Sequence, residues 1–344
     1  MKNNILLLIF FAAFGPYYTV QAATETHLPS SLVNPGYHAQ PDWFSQSFLD
    51  LPEDVAEASA EHKQLMLYFY QDGCPYCAKL LRDIFYEPTI AQQIQTQFNV
   101  IALNIWGDRA VTDLQQQITT EKVLARDWQV QYTPTIIMLT QTGQVALRLN
   151  GYQSPERFRL ALRYARTQTS TVPSDTGNPT PLPGFPAALP HPLHLADNRR
   201  ESYRPLMVIF SQHDCADCAK LLQRLEQPIL AHALTNVDLV VLNRWSNETV
   251  QTPTGEQLTA KAWAEQIQIP FSPSVVLFDQ QGTEVFRVES MLETFHIHAV
   301  LDYVISGAYR HQPSFQRFIQ HRAETLQARG IQVELLEPVS AGHD

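Results

Sequence analysis

Cysteine is scarce in this chain. Only four occur in 344 residues, and all lie in two C-x-x-C pairs, Cys74/Cys77 and Cys215/Cys218. A structural disulfide usually bridges distant segments, so cysteines confined to two such close pairs argue against a scaffold stapled by disulfides. A crosslink across two intervening residues closes a very small loop and gains little stability, so the spacing points to chemistry or metal. Long apolar runs are also missing: beyond residue 22 no segment is apolar enough to span a bilayer. Basic residues number 24 against 34 acidic ones, for a formal net charge of −10. That balance argues against nucleic acid and anionic lipid as partners.

The first 22 residues read as a secretory signal. Lys2 supplies the positive start, Ile5 to Phe14 the short apolar run, and Val20-Gln21-Ala22 a small-residue cleavage site. Cleavage is expected after Ala22. No cysteine follows the run, so neither a lipid anchor nor stable membrane insertion after cleavage is expected. An uncleaved anchor is the competing reading.

The rest of the chain repeats itself. Leu65-Met66-Leu67 matches Leu206-Met207-Val208, and Ala78-Lys79-Leu80-Leu81 recurs as Ala219-Lys220-Leu221-Leu222. Cys74 and Cys215 keep the same offset of 141. Further on the offset is 139, for Leu103-Asn104-Ile105-Trp106 with Leu242-Asn243-Arg244-Trp245, for Thr133-Pro134-Thr135 with Ser272-Pro273-Ser274, and for Gly143 with Gly282. Landmarks holding such spacing mean a duplicated unit. The expected division is a signal at 1–22, a first domain at 23–168, a linker at 169–202, and a second domain with a helical C-terminal extension at 203–344. Seven prolines between Pro173 and Pro192 favour an extended linker; an ordered loop wrapped on a domain is the alternative.

Each unit reads as strand, helix, strand, helix, two strands and a helix. In the first unit, strands are expected at Leu65 to Tyr70 and Asn99 to Asn104. Helices are expected from Cys74, interrupted by Pro88, and from Thr119 to Trp128. Thr135 to Thr140 and Val145 to Leu149 form a hairpin around Thr142-Gly143. Ser154 caps a last helix with Pro155 at its first position, and Phe158, Ala161, Leu162 and Ala165 share one face. Pro52 to His62 adds a leading helix with no clear counterpart in the second unit. Parallel strands joined by helical crossovers, closed by an antiparallel hairpin, give a mixed sheet flanked by helices, in an α/β fold repeated twice. Phe315, Phe318, Ile319, Ala323 and Leu326 suggest an amphipathic helix in the extension.

A C-x-x-C directly after an apolar strand, opening a helix, is a redox signal. The helix amino end stabilises a thiolate on Cys74, and the thiolate is the species that attacks disulfides. Cys77, one turn later and more buried, can resolve the mixed disulfide. Pro75 stiffens the first turn and Tyr76 adds an amphipathic contact. Lys79 and Arg82 favour the anion and Asp72 opposes it. At the second pair, Asp214 and Asp217 flank the thiols and disfavour a thiolate on Cys215. Cys215, Cys218 and Pro273 thus form a possible second redox site. It reads as an active centre or relay, as a locked disulfide in a client-binding domain, or as a relic. Zinc across the two pairs is disfavoured because duplication accounts for both, so no metal and no cofactor is expected. His296 and His298, two apart, read as ordinary surface residues, and Trp106 and Trp245 as packing residues.

Cys74-Pro75-Tyr76-Cys77, Tyr132-Thr133-Pro134-Thr135 and the strand–helix order resemble the thioredoxin superfamily. Leu103 to Arg109, Glu121 to Arg126 and Asn150-Gly151-Tyr152 look more narrowly like SoxW-like periplasmic thioredoxins. The resemblance covers roughly residues 42–167, with a weaker copy at 203–309. It implies a periplasmic protein-disulfide oxidoreductase in which Cys74 is the nucleophile and Cys77 the resolving thiol. It further implies a cis Pro134 packed on the disulfide, with Pro75, Tyr76 and Thr133 as the substrate platform, although Pro134 read from spacing alone could simply open an edge strand. Its partners would be disulfide-containing exported proteins and an electron-donating thiol–disulfide protein. Tyr68 stands where many thioredoxins carry a buried Asp. A chaperone-like adaptor using the same groove without turnover, or a disulfide oxidase, is the alternative function.

Overall fold

The computed structural model describes residues 37–167, 203–290 and 292–331. The expected signal and linker lie outside the described residues. In the first domain, α1 (Leu51–Ala60) precedes β1 (Gln64–Tyr70). Then come α2 (Pro75–Leu80), a π-helical turn (Leu81–Phe85), α3 (Pro88–Gln97), β2 (Phe98–Asn104), β3 (Ala110–Thr112) and β4 (Ile118–Thr120). The domain continues with α4 (Glu121–Asp127), β5 (Thr135–Leu139), β6 (Val145–Asn150) and α5 (Pro155–Thr167). Strand order in the main sheet is β2-β1-β5-β6, with β1 and β2 parallel and both other pairings antiparallel.

Six consecutive residues of β1, Gln64 to Phe69, are buried, as expected of a central strand covered on both faces. Period-2 alternation sends Met66 and Tyr68 to one face with Leu80, Ile84, Phe85 and Phe158. Leu65, Leu67 and Phe69 go to the other with Leu51, Val55 and Leu124. The four apolar residues expected on one face of α5 are all fully buried.

Two local expectations are corrected. Thr119-Thr120 is not the first turn of a helix; with Ile118 it forms a β-branched strand paired with Ala110–Thr112. The Asp113 carboxylate holds that hairpin by accepting the backbone N–H groups of Gln115 and Gln117, each at 2.8 Å. Cys74 caps the helix in an extended conformation rather than beginning it, and the helix opens at Pro75.

The second domain repeats the plan with β7 (Leu206–Ser211), α6 (Ala216–Leu225), α7 (Pro228–Leu234), β8 (Asp238–Asn243), β9 (Thr249–Gln251) and β10 (Gln257–Thr259). It ends with α8 (Ala260–Gln266), β11 (Ser274–Phe278), β12 (Glu284–Val288), α9 (Thr294–Ile305) and α10 (Phe315–Ala328). Its sheet, β8-β7-β11-β12, has the same pairing senses.

The domains face one another through equivalent surfaces. Tyr132 packs in the core of the second domain, and its counterpart Phe271 packs in the core of the first. The Tyr132 hydroxyl donates to the Arg287 carbonyl at 2.9 Å, and Gln131 Nε2 donates to the Val285 carbonyl at 2.8 Å. At the centre lies Glu289, 2 % exposed, accepting from Asn150 Nδ2 at 2.8 Å, while Arg157 donates to its carbonyl at 2.9 Å. Gly151 has φ +87, and a Cβ there would stand 2.3 Å from Ser290 Oγ, so only glycine allows this close approach. Paired positions offset by 139, such as Asn150 with Glu289 and Tyr132 with Phe271, make the contact an approximate two-fold.

Candidate active site

Cys74 and Cys77 form a disulfide with Cα atoms 5.2 Å apart, at the end of β1 and the start of α2. The Cys77 backbone N–H donates to Cys74 Sγ at 3.1 Å. Thr133 Oγ1 donates to the same sulfur at 3.3 Å, and the Thr133 carbonyl oxygen lies 3.6 Å from it. The Thr133–Pro134 bond is cis, as is Ser272–Pro273. Two donors therefore converge on Cys74 Sγ. In the reduced protein they would hold a thiolate there, lowering its proton affinity.

The neighbouring charges act differently from expectation. Lys79 and Arg82 do not turn to the sulfur; both bind Asp83, at 2.9 and 2.8 Å, and Lys79 also lies 4.8 Å over the Tyr152 ring. The donors on Cys74 are local dipoles, not side-chain cations. Tyr68 is fully buried, with no hydrogen-bond partner for its hydroxyl among the described residues. Burial pushes that hydroxyl far above its ordinary range, so Tyr68 cannot shuttle a proton as a carboxyl would.

The sequence motifs outside the cysteines find structural roles. Glu121, 2 % exposed, accepts from Arg109 at 2.6 Å and from the Asn104 backbone N–H at 2.9 Å. It thus pins the loop after β2, which presents Trp106. Trp106 Nε1 donates to Gln71 Oε1 at 2.7 Å.

The largest departure is the cover over the site. Cys74 is only 3 % exposed and Cys77 1 %, so the expected difference between them is small. A cavity of about 60 Å³ beside Cys74 is lined in part by Tyr76, Thr133, His296, Phe315, Gln316 and Ile319. Three of these come from α10 of the second domain. Thr133 is not an open platform: Gln316 Nε2 donates to its Oγ1 at 3.2 Å. His296 is corrected as well. It is not a surface residue but stacks edge-on against Tyr76, with ring centroids 5.0 Å apart. Desolvation lowers its imidazole to about 3, so it is neutral at ordinary pH. The amphipathic pattern of α10 was visible in the sequence, but no signal there placed it over Cys74.

The second pair, Cys215–Cys218, is also a disulfide, with the Cys218 N–H donating to Cys215 Sγ at 3.0 Å. Cys215 is partly exposed. The flanking acids have partners beside them: Asp214 meets His213 Nδ1 at 2.7 Å, Asp217 pairs with Lys220 at 3.8 Å, and Arg157 of the first domain adds its field at Asp217. Cys215 therefore does not face bare negative charge. The two-fold is kept here, since Tyr76 meets His296 of α9 while Asp217 faces Arg157 of α5.

A family profile described as a thioredoxin-like domain matches residues 51–166 and again 194–305. No curated protein matches the chain. Among solved structures, a thioredoxin-fold protein from Helicobacter pylori is 13% identical, with 36% of this chain and 86% of that one covered at a TM-score of 0.33. A thioredoxin from Thermus thermophilus is 24% identical, covering 35% and 85% at 0.28. A putative disulphide-isomerase from Bacteroides thetaiotaomicron is 20% identical, covering 38% and 99% at 0.29. With both halves of the chain matched by one family profile, over a mixed sheet that carries a C-x-x-C at the same place in each, this protein belongs to the thioredoxin-like domain family and contains that domain twice.

Proposed function

We propose that the chain is an exported thiol–disulfide oxidoreductase that reduces or exchanges disulfides on periplasmic proteins, of the SoxW-like kind. The observation that carries this reading is the pair of hydrogen-bond donors on Cys74 Sγ, the Cys77 N–H and Thr133 Oγ1, beside a cis proline. In the reduced protein the Cys74 thiolate attacks one sulfur of the acceptor disulfide. A Cys74–acceptor disulfide forms, the acceptor S–S bond breaks, and one acceptor thiolate leaves. Cys77, losing its proton to solvent, attacks Cys74 Sγ and expels the second thiolate. The acceptor gains two electrons and the Cys74/Cys77 pair loses two. A dithiol donor protein returns them by the reverse exchange.

The test is turnover of hydroxyethyl disulfide with dithiothreitol as donor, in a Cys215→Ser/Cys218→Ser background. Cys74→Ser abolishes turnover. Cys77→Ser, reduced, freed of dithiothreitol and then mixed with hydroxyethyl disulfide, accumulates the Cys74 mixed disulfide, because no second thiol is present to resolve it. If both variants turn over as fast as the parent, the oxidoreductase reading is wrong and the adaptor reading takes its place.

A further inference from the structure

The cover over Cys74 is built from one helix turn. Phe315, Gln316 and Arg317 open α10, and each touches the first domain. The Phe315 ring lies 6.3 Å from Tyr132, and Gln316 bonds both Thr133 at 3.2 Å and Gln71 at 3.4 Å. The Arg317 guanidinium lies 4.9 Å over the Trp106 ring. An extended client pairing beside the cis proline needs a strand's width, about 4.8 Å, along Thr133. Gln316 stands against Thr133 on its hydroxyl side and narrows that approach. The remaining cavity of about 60 Å³ takes several water-sized groups, enough for one arm of a small thiol or disulfide but not for a strand.

Beyond its first turn, where Phe315 packs on Phe286 and Tyr303 and Phe318 on Tyr303, this helix is lightly held. Only Phe315 and Ala323 of α10 are buried, against seven residues of α9. Its far end is tied to α9 through Arg322, which pairs with Asp302 and meets His298 Nδ1 at 2.6 Å. Elements with few buried contacts open at low free energy, locally rather than with the whole fold.

We propose that α10 is a lid on the Cys74 site, admitting small thiols and disulfides while it is closed and excluding protein disulfides until it is displaced. The proposal rests on the oxidoreductase reading above and adds a specificity-determining element to it. With the lid closed, the exchange is the same two-electron step with a small disulfide as acceptor. With the lid open, the client strand takes the place of Gln316 at Thr133.

The experiment compares two acceptors, hydroxyethyl disulfide and insulin, with dithiothreitol as donor and the full chain in the Cys215→Ser/Cys218→Ser background. Arg322→Ala loosens the lid from its far end, away from the reacting sulfurs. It should raise insulin reduction about tenfold, in proportion to the open fraction, while hydroxyethyl disulfide turnover stays within about twofold. Gln316→Ala/Arg317→Ala should shift the ratio of the two rates the same way. A second readout needs no turnover: reduced Cys74 should react readily with iodoacetamide and slowly with a polyethylene-glycol maleimide, and Arg322→Ala should accelerate only the second. Insulin reduction and bulky labelling as fast in the parent as in the variants would overturn the lid. Loss of hydroxyethyl disulfide turnover in the parent would instead remove the oxidoreductase reading beneath it.

Discussion

Glu289→Ala tests whether the two domains are one cooperative unit. The carboxylate sits at the interface centre, 2 % exposed, with Asn150 Nδ2 at 2.8 Å and Arg287 at 4.0 Å, and with Arg148 contributing a further positive field. Removing it leaves the Asn150 amide without its acceptor, a cost of about 1–3 kcal/mol. It also takes the largest opposing charge from Arg148, while Arg287 keeps Glu284 at 2.6 Å, and breaking a buried pair from one side costs about 3–5 kcal/mol. Both Arg side chains keep carbonyl partners, at 2.6 Å from Arg148 to Trp128 and 2.6 Å from Arg287 to Ile267, so the lower end applies, about 3 kcal/mol. With an m-value of about 3 kcal/mol/M, the urea midpoint should fall by about 1 M. Glu289→Gln keeps an acceptor for Asn150 and removes a charge whose burial holds the carboxyl above its ordinary range. Its change should stay within about 1 kcal/mol. Because the folded-state value is raised, the stability Glu289 contributes is complete below the ordinary carboxyl range and declines as pH rises through it; Gln should flatten that slope. An unchanged midpoint in Glu289→Ala would refute the interface as a source of stability.

Other predictions concern titrating groups read by urea unfolding. Asp54, which accepts from Ser47 Oγ at 2.8 Å, is raised by burial to about 6 from 3.8. Its contribution is therefore complete below 3.8 and lost as pH rises toward 6; Asp54→Asn should be more stable than the parent by about 1 kcal/mol at pH 7, after allowance for solvent screening, and equal to it near pH 3. His296, lowered from 6.5 to about 3 by desolvation, stabilises fully above 6.5 and progressively less as pH falls. Relative to His296→Phe, the parent should lose about 2 kcal/mol between pH 7 and pH 5. The opposite sign for either group would contradict its assigned burial.

Much of the fold was legible because local rules and tertiary context agreed. β1 announced itself by an unbroken apolar run, and α5 by Ser154, Pro155 and a clean helical face whose members are all buried. The β3–β4 hairpin was hidden because three-residue strands leave no periodicity, and its determinant is the Asp113 carboxylate in the turn. At the site, the cysteines follow from motif spacing, and the cis proline from the family resemblance that the motifs carry. The cover does not. Phe315 reads as the apolar face of an amphipathic helix, and nothing local says that the face beside it, Gln316 and Arg317, meets Thr133 and Trp106 some 180 to 210 positions earlier. His296 failed for the same reason, since this polar residue on a late helix is half-buried where it meets Tyr76 of the other domain. The duplication held a clue in hindsight. A pseudo-two-fold contact buries the same positions in both halves, and Asn150-Gly151 with Glu289-Ser290 are such a pair.

The central claim is that Cys74 and Cys77 form a reducing dithiol. Its most direct test is the reduction potential of that pair in glutathione buffers, with Cys215 and Cys218 changed to Ser. A reducing pair should give a value near or below about −200 mV, in the range of reductases and isomerases. A value near about −120 mV would make the pair an oxidant and contradict that claim.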